Sequence, residues 1–231
     1  MMTQPAIGFL HIGKTGGTAL RYILEQQRKN TGIMPVRFIW LHYMTLPRIR
    51  AEYPTVRTIF FVRDPISRFI SGFNSRLRQG LPRHRVPWSP EEAIAFQRFT
   101  TPNQLAEAIE DSNAERRAAA RAAMGGIRHV RDTLTHHLVG SEFLADNVGG
   151  IFYIGDLASF VLDVARLKAL LHINEGINPP TDDIGAHRSP KDLDRQLSHL
   201  AMHNLRAWYK RDYAIYHWCQ NYKERAALSS A

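Results

Sequence analysis

The stretch His11-Ile12-Gly13-Lys14-Thr15-Gly16-Gly17-Thr18, here called the phosphate loop, follows a short apolar run, Ala6–Ile12. Beyond it, Leu20, Ile23 and Leu24 recur at the three- and four-residue intervals that place side chains on one helix face. The predicted order is therefore strand, loop and helix. Glycines in such a loop let the backbone wrap around an anion, and the helix N-terminus adds unpaired N–H groups. The stretch predicts an anion-binding loop rather than a simple turn.

A second strand, turn and helix begins at Thr58–Val62, which is rich in β-branched and aromatic residues, and continues as a helix from Ile66 to Leu77. Asp64 suits the N-cap of that helix and Pro65 suits its first turn. Ligands of open α/β sheets bind beyond the carboxyl ends of the strands. Arg63 is therefore placed to hold a phosphate with its planar guanidinium, with a surface ion pair as the alternative role.

A third apolar run, Ile151–Ile154, is predicted as a strand that leads into another helix. Buried strands that alternate with helices indicate a parallel sheet covered on both faces. We therefore expect a three-layer, P-loop-like α/β fold with a central parallel sheet flanked by helices. We expect one domain over residues 1–231, with a mostly helical insertion around residues 80–150. Further helices are predicted over Val130–Leu138 and from Lys191 through Trp208.

The composition is ordinary for a globular protein, but the formal net charge is +9. Such an excess suggests an anionic partner, although part of it can be solvated helix surface, as in residues 115–121. The single cysteine, Cys219, cannot form an internal disulfide, and no apolar run reaches the roughly 20 residues that span a bilayer. Since residues 1–7 do not resemble a secretory signal, we expect a cytoplasmic protein, unless a leader has been removed.

A different interpretation of the phosphate loop also has to be weighed. Residues 8–15 match the Walker A pattern of P-loop nucleotide kinases and NTPases, and Asp64 imitates a Walker B aspartate. Three of the four variable positions, Phe9, Leu10 and Ile12, are apolar and favour strand over exposed loop. A further alternative is a non-catalytic basic module for glycan or nucleic acid, although the chain has no recognisable nucleic-acid-binding motif.

Two segments resemble one enzyme family. The phosphate loop is similar to the 5′-phosphosulfate loop of the sulfotransferases that use 3′-phosphoadenosine 5′-phosphosulfate (PAPS), in the form found in the carbohydrate, heparan 2-O-sulfotransferase-like branch. Residues 63–71 resemble the family's 3′-phosphate motif, R-D-P-x-x-R-x-x-S, with every named position filled. The tail over residues 205–216 resembles the closing helix of the family. Gly13 departs from the pattern, because many members have proline there.

The resemblance implies a sulfotransferase domain over the whole chain, and it implies a role for each matching residue. The 5′-phosphosulfate would be bound by Lys14, Thr15, Gly16, Gly17 and Thr18, and Lys14 would also be catalytic because it neutralises charge as the S–O bond breaks. The 3′-phosphate would be bound by Arg63 and Ser71. A late loop over residues 183–190 would place Arg188 to bind a phosphate of the donor or an anionic acceptor, with a surface-loop role as the alternative. PAPS would be the cofactor, 3′,5′-ADP the product, and no metal would be required.

The acceptor hydroxyl needs a general base, and His42 lies between the two phosphate motifs, where the 2-O-sulfotransferases carry a catalytic histidine. The alternatives are a structural or surface role for His42, or His11 as the base. The expected partner is a hydroxyl-bearing acceptor, a glycan or another anionic substrate, and neither nucleic acid nor a membrane span is expected. Arg83 and Arg85 are predicted to shape the acceptor cleft.

Overall fold

A parallel sheet organises the chain in a computed structural model that describes residues 6–82, 84–180 and 193–228. The strands in this part of the chain are β1 (Ile7–Leu10), β2 (Phe38–Trp40), β3 (Arg57–Val62) and β4 (Ile151–Asp156). Their order across the sheet is β2-β1-β3-β4, and each neighbouring pair is parallel. Leu10 pairs with Phe60, so β1 and β3 end side by side at one edge of the sheet.

Several helices begin where a polar cap precedes proline, at Asp64-Pro65, Ser89-Pro90 and Thr101-Pro102. In each case the cap side chain accepts a bond from a backbone N–H of the first turn, which proline itself cannot donate. The described helices are α1 (Gly17–Thr31), α2 (Leu46–Glu52), α3 (Pro65–Leu77), α4 (Pro90–Arg98), α5 (Pro102–Ala108), α6 (Ala114–Gly126), α7 (Leu134–Leu138), α8 (Ser141–Asp146), α9 (Phe160–Leu170), α10 (His199–Trp208) and α11 (Lys210–Leu228).

The first of two compact units contains the sheet and comprises Met1–Arg63, Leu134–Thr181 and Ala214–Ala231. Alternate strand residues point to opposite faces, as the period of a strand requires. Phe9, Ile59 and Phe61 pack with α1 and α9 on one face. Leu10, Phe60 and Val62 pack with α2, α7, α8 and α11 on the other. Helices thus cover both faces, and the predicted three-layer α/β fold with a central parallel sheet is confirmed.

The second unit, Asp64–Thr133 with Asp182–Tyr213, is helical in its described part. Its core is formed by α3, α4, α5, α6 and α10, around aromatic residues such as Phe69, Phe73 and Phe96. A fully buried ion pair lies beside this core, where Arg76 donates to both carboxylate oxygens of Glu92 at 2.6–2.7 Å. The same guanidinium donates to the carbonyls of Val86 and Pro87, which ties the segment before α4 to α3.

Two predicted helix boundaries are wrong. The helix predicted over Val130–Leu138 begins only at Leu134, because His129 has a left-handed backbone (φ 68°) and the chain turns through residues 127–133. The C-terminal helix predicted from Lys191 begins at His199, where Ser198 accepts a bond from the N–H of Ala201. Lys191 itself lies outside the described residues.

Candidate active site

The phosphate loop leaves β1 through a tightly bonded turn. The Thr15 hydroxyl donates to the Ile12 carbonyl at 2.8 Å, and its side chain is buried. Lys14, between them, has a left-handed backbone with φ 67°, which costs a non-glycine residue about 1–2 kcal/mol. Because the Thr15 hydroxyl hydrogen is directed to Ile12, Thr15 offers an anion its backbone N–H rather than its side chain.

Two glycines of the loop lie where neighbouring side chains approach the backbone closely. Gly16 also has a left-handed backbone (φ 89°), and a Cβ there would lie 2.7 Å from Cε2 of Phe160. A Cβ on Gly17 would lie 2.0 Å from Cδ2 of His11. These positions therefore require glycine, Gly16 for its conformation and Gly17 for the close approach of the His11 ring.

Helix α1 starts directly from this loop, with Gly16 as its N-cap. In the described part of the chain no side chain caps its first N–H groups, and its first turn contains no acidic residue. Such a terminus presents backbone donors and the positive end of the helix dipole to an anion. Lys14 and Thr18, both partly exposed, flank these donors. The donor set fits a phosphate or sulfate group.

Arg63 follows β3 at the edge where β1 also ends. Its Nη1 donates to the backbone carbonyl of Lys14 at 3.3 Å. The structure thus brings together Arg63 and the phosphate loop, as the parallel pairing of β1 and β3 requires. A guanidinium carries five N–H donors in a planar fork, a shape that matches the oxygens of an anion.

The first turn of α3 has the predicted capping arrangement. Asp64 Oδ1 accepts from the Ser67 N–H at 2.7 Å, and Pro65 occupies the first helical turn, so the sequence prediction for both residues is confirmed. The second carboxylate oxygen of Asp64 accepts from the Tyr213 hydroxyl at 2.9 Å. Burial and this bond to Asp64 raise the pKa of Tyr213, which therefore remains a hydrogen-bond donor.

Ser71 and Arg68 lie on α3 in the second unit, and both side chains are buried. Sequence analysis gave no role to Arg68, the second arginine of the R-D-P-x-x-R-x-x-S motif. It donates to the Asp132 carbonyl and lies close to Asp212 and Tyr209. Arg68 lies one helical turn after Asp64 on α3. That spacing is the feature of the sequence that could have predicted its buried position in the helical unit. Arg68 supports the fold, whereas the role of Ser71 remains a prediction.

His42 lies in the turn after β2, and its Nδ1 is 3.1 Å from the backbone carbonyl of His11. A carbonyl can only accept, so Nδ1 carries the proton in this bond and the lone pair of the neutral ring is on Nε2. The rings of His42 and His11 are 4.4 Å apart between centroids. His42 is partly exposed and is joined directly to the residue that begins the phosphate loop.

His11 itself is poorly suited to be the base. It is 8% exposed, and Nδ1 has no hydrogen-bond partner among the described residues. Burial, followed by the electrostatic influence of His42 and Arg21, lowers the pKa of His11 to about 3. The ring stays neutral and packs against Gly17, so it shapes the loop.

The predicted Walker A alternative conflicts with the position of Gly8. This residue, the first glycine of that pattern, lies within β1, and a Cβ there would lie 2.2 Å from Cζ3 of the buried Trp40. A Walker A glycine belongs to the exposed phosphate-binding loop instead. Gly16 and Gly17 instead lie at the N-terminus of α1.

Some predicted site residues fall outside the described part of the chain. Arg188, predicted to bind the donor or an anionic acceptor, and Arg83, predicted at the acceptor cleft, both lie there. Arg85 is described, and its Nε donates to Gln79 at 3.0 Å. Within residues 6–82, 84–180 and 193–228, no group of three or more potential ligands could hold a metal ion, and no helix is both long and apolar enough to cross a membrane.

Comparison with known proteins agrees with this geometry. A family model described as the Sulfotransferase family matches residues 4–219, a range that includes the phosphate loop, Arg63 and Ser71. A search of curated proteins finds no match. The family supports sulfuryl transfer as the activity. Since the match covers well over half of the 231 residues, the chain belongs to the sulfotransferase family.

Proposed function

We propose that this protein transfers a sulfuryl group from PAPS to a hydroxyl group of a carbohydrate acceptor. The observation that carries the proposal is the bond from Arg63 to the Lys14 carbonyl, which joins the two phosphate motifs at one edge of the sheet. A donor with phosphate groups at both its 5′ and 3′ positions matches two adjacent anion sites. ATP lacks the 3′-phosphate.

The phosphate loop would hold the 5′ end of the donor. The backbone N–H groups of residues 15–18 and the N-terminus of α1 would bind its oxygens. When bound, PAPS supplies an activated sulfuryl group. Lys14 would stabilise the negative charge that develops at the loop during transfer, and fixed donors of this kind need no reorganisation at that moment.

Arg63 and Ser71 would hold the 3′-phosphate. The bond to the Lys14 carbonyl fixes the guanidinium of Arg63 before the ligand arrives, so less side-chain freedom is lost on binding. Arg188 is proposed as a further ligand on the strength of the family resemblance alone. As the family resemblance implies, donor binding by these groups would require no metal ion.

His42 would be the general base. With Nδ1 bonded to the His11 carbonyl, Nε2 is the atom that would accept the proton of the acceptor hydroxyl. The anchor on His11 holds the imidazole next to the loop that would carry the donor. A positioned base of this kind contributes roughly 10²–10⁴-fold to the rate.

The acceptor class rests on the net charge of +9 and on the resemblance to the carbohydrate branch. The test is transfer of radiolabelled sulfuryl from PAPS to three acceptors: fully desulfated heparan sulfate, desulfated chondroitin and p-nitrophenol. We expect label in a glycan, a loss of at least about a hundredfold in Lys14→Ala, and wild-type rates in Lys29→Ala, which alters an exposed lysine near the end of α1.

Label in p-nitrophenol alone would contradict a carbohydrate acceptor while leaving sulfuryl transfer intact. Label in none of the three, with ATP and Mg²⁺ binding tightly, would favour a nucleotide kinase or NTPase instead. Equal rates in the Lys14→Ala and Lys29→Ala variants would remove Lys14 from the chemistry.

A further inference from the structure

The segment that carries His42 is short and joins β2 to α2. It forms a turn in which the Met44 N–H donates to the Leu41 carbonyl at 3.0 Å. Tyr43, at the outside of the turn, is 71% exposed, whereas Met44 is buried. The orientation of His42 therefore depends on how the two ends of this turn are held.

One end is held by His42 itself, through Nδ1 and the His11 carbonyl. The other end is held by His137 of α7, whose Nδ1 lies 3.1 Å from the Met44 carbonyl. Because a carbonyl only accepts, His137 donates through Nδ1. His137 is fully buried and separated from Met44 by 93 positions, so this contact fixes the turn against a distant part of the chain.

The packing around this contact is rigid. Leu134 and Leu138, on either side of His137 in α7, belong to the same buried core as Met44, Leu46 and Ile49. An apolar residue at position 137 could fill the space, yet it would leave the Met44 carbonyl without its donor. A buried carbonyl that loses its partner drives the backbone to rearrange, and the adjacent His42 would move with it.

We propose that His137 is a positioning residue for sulfuryl transfer, which acts by holding the Met44 carbonyl and so fixing His42 for proton transfer. The inference rests on the proposed function of His42 as the base. His137 touches neither donor nor acceptor in this scheme, because its side chain is fully buried. Its effect should therefore appear in turnover and in the state of the His42 ring, while donor binding is unchanged.

The experiment compares two polar substitutions of similar size. In His137→Asn the side-chain N–H lies near the position of Nδ1 and can still reach Met44, whereas in His137→Gln it moves outward, toward the position of Nε2. His136→Gln, at the exposed neighbouring position on α7, is the matched control. Each variant is made in the wild-type and in the His42→Ala background.

The first measurement is the tautomer of His42, from nitrogen NMR spectra of protein containing isotope-labelled histidine, with the signal assigned by its loss in His42→Ala. We expect protonated Nδ1 in the wild type, in His137→Asn and in His136→Gln, and a mixture of tautomers in His137→Gln. The second measurement is turnover with radiolabelled PAPS and desulfated heparan sulfate. We expect kcat to fall roughly ten- to a hundredfold in His137→Gln, with KM for PAPS within about twofold of wild type.

A role through His42 also predicts that His137→Gln causes no further loss of turnover in the His42→Ala background. An equal loss in both backgrounds, or an unchanged His42 spectrum in His137→Gln, would overturn the proposal. If the wild type transfers no sulfuryl group, the proposed function fails, and the NMR spectra alone then decide whether His137 fixes His42.

Discussion

The guanidinium of Arg63 donates to the backbone carbonyl of Lys14 at 3.3 Å, although 49 positions separate the two residues. The contact follows from the sheet, since β1 and β3 are parallel neighbours and both residues lie just beyond the strand ends. This hydrogen bond connects the start of the segment 63–71 to the phosphate loop before any ligand binds. Disturbing either motif should therefore affect the other.

Replacing Lys14 by glycine should separate stability from function. The left-handed backbone of Lys14 is strained for lysine and relaxed for glycine, and the greater flexibility of unfolded glycine opposes that gain. We expect the free energy of unfolding in urea to stay within about 1 kcal/mol of wild type, while turnover falls about a hundredfold or more. A large loss of stability would show that the lysine side chain holds the loop together.

Gly17→Ala should damage the loop directly. The new Cβ would lie 2.0 Å from the His11 ring, so the ring must move, and overpacking of this kind costs about 1–3 kcal/mol. We expect this loss in urea unfolding together with loss of stabilisation by 3′,5′-ADP. The control is Gly125→Ala in α6, where a Cβ would meet nothing within 4 Å. Because alanine favours the helix more than glycine does, this variant should gain up to about 1 kcal/mol in the free energy of unfolding. If 3′,5′-ADP stabilises Gly17→Ala as much as it stabilises the wild type, ligand binding does not depend on the close packing of His11 against Gly17, and the prediction is wrong.

His11 should make the fold sensitive to acid. Its pKa is about 3 in the folded protein, lowered first by burial, and 6.5 is its ordinary value. Below pH 6.5 the imidazole of His11 is protonated in the unfolded chain but stays neutral in the folded protein. The free energy of unfolding therefore falls as the pH is lowered from 6.5 to about 3. Between pH 7 and pH 5 the wild type should lose about 2 kcal/mol more than His11→Asn. Equal losses in urea unfolding would contradict a neutral, buried His11.

The buried pair of Arg76 and Glu92 should make the second unit sensitive to the loss of either partner. Arg76→Met leaves the Glu92 carboxylate buried without its partner, which costs about 3–5 kcal/mol. Replacing Glu92 by leucine as well should recover part of that loss. Arg98→Met, which breaks the exposed pair with Glu115, should cost less than about 1 kcal/mol. Urea unfolding measures all three, and equal costs for Arg76→Met and Arg98→Met would contradict the burial.

Features that depend on neighbouring residues were predicted well from the sequence. The apolar runs gave β1, β3 and β4 to within a few residues, and Asp64-Pro65 gave the start of α3. The alternation of these strands with helices then predicted the parallel sheet. The glycines next to Lys14 predict an anion-binding loop, and this role stays a prediction.

Features that depend on distant residues were missed. The three-residue strand β2 is too short to show a pattern, and it is held by its pairing with β1. The bond from His137 to the Met44 carbonyl joins positions that no local pattern relates.

In the proposed function, Arg63 and the phosphate loop form one site for a 3′-phosphorylated nucleotide. The most direct test is thermal unfolding with 3′,5′-ADP or with ATP and Mg²⁺, in wild type, in Arg63→Ala and in the surface control Arg48→Ala. At a hundred times the dissociation constant, binding adds about 2.7 kcal/mol, or roughly 5–10 °C in Tm for a chain of this size. We expect 3′,5′-ADP to raise Tm by this amount in wild type and in Arg48→Ala, and we expect no such rise in Arg63→Ala. A shift with ATP and Mg²⁺ alone, or an undiminished 3′,5′-ADP shift in Arg63→Ala, would contradict this expectation.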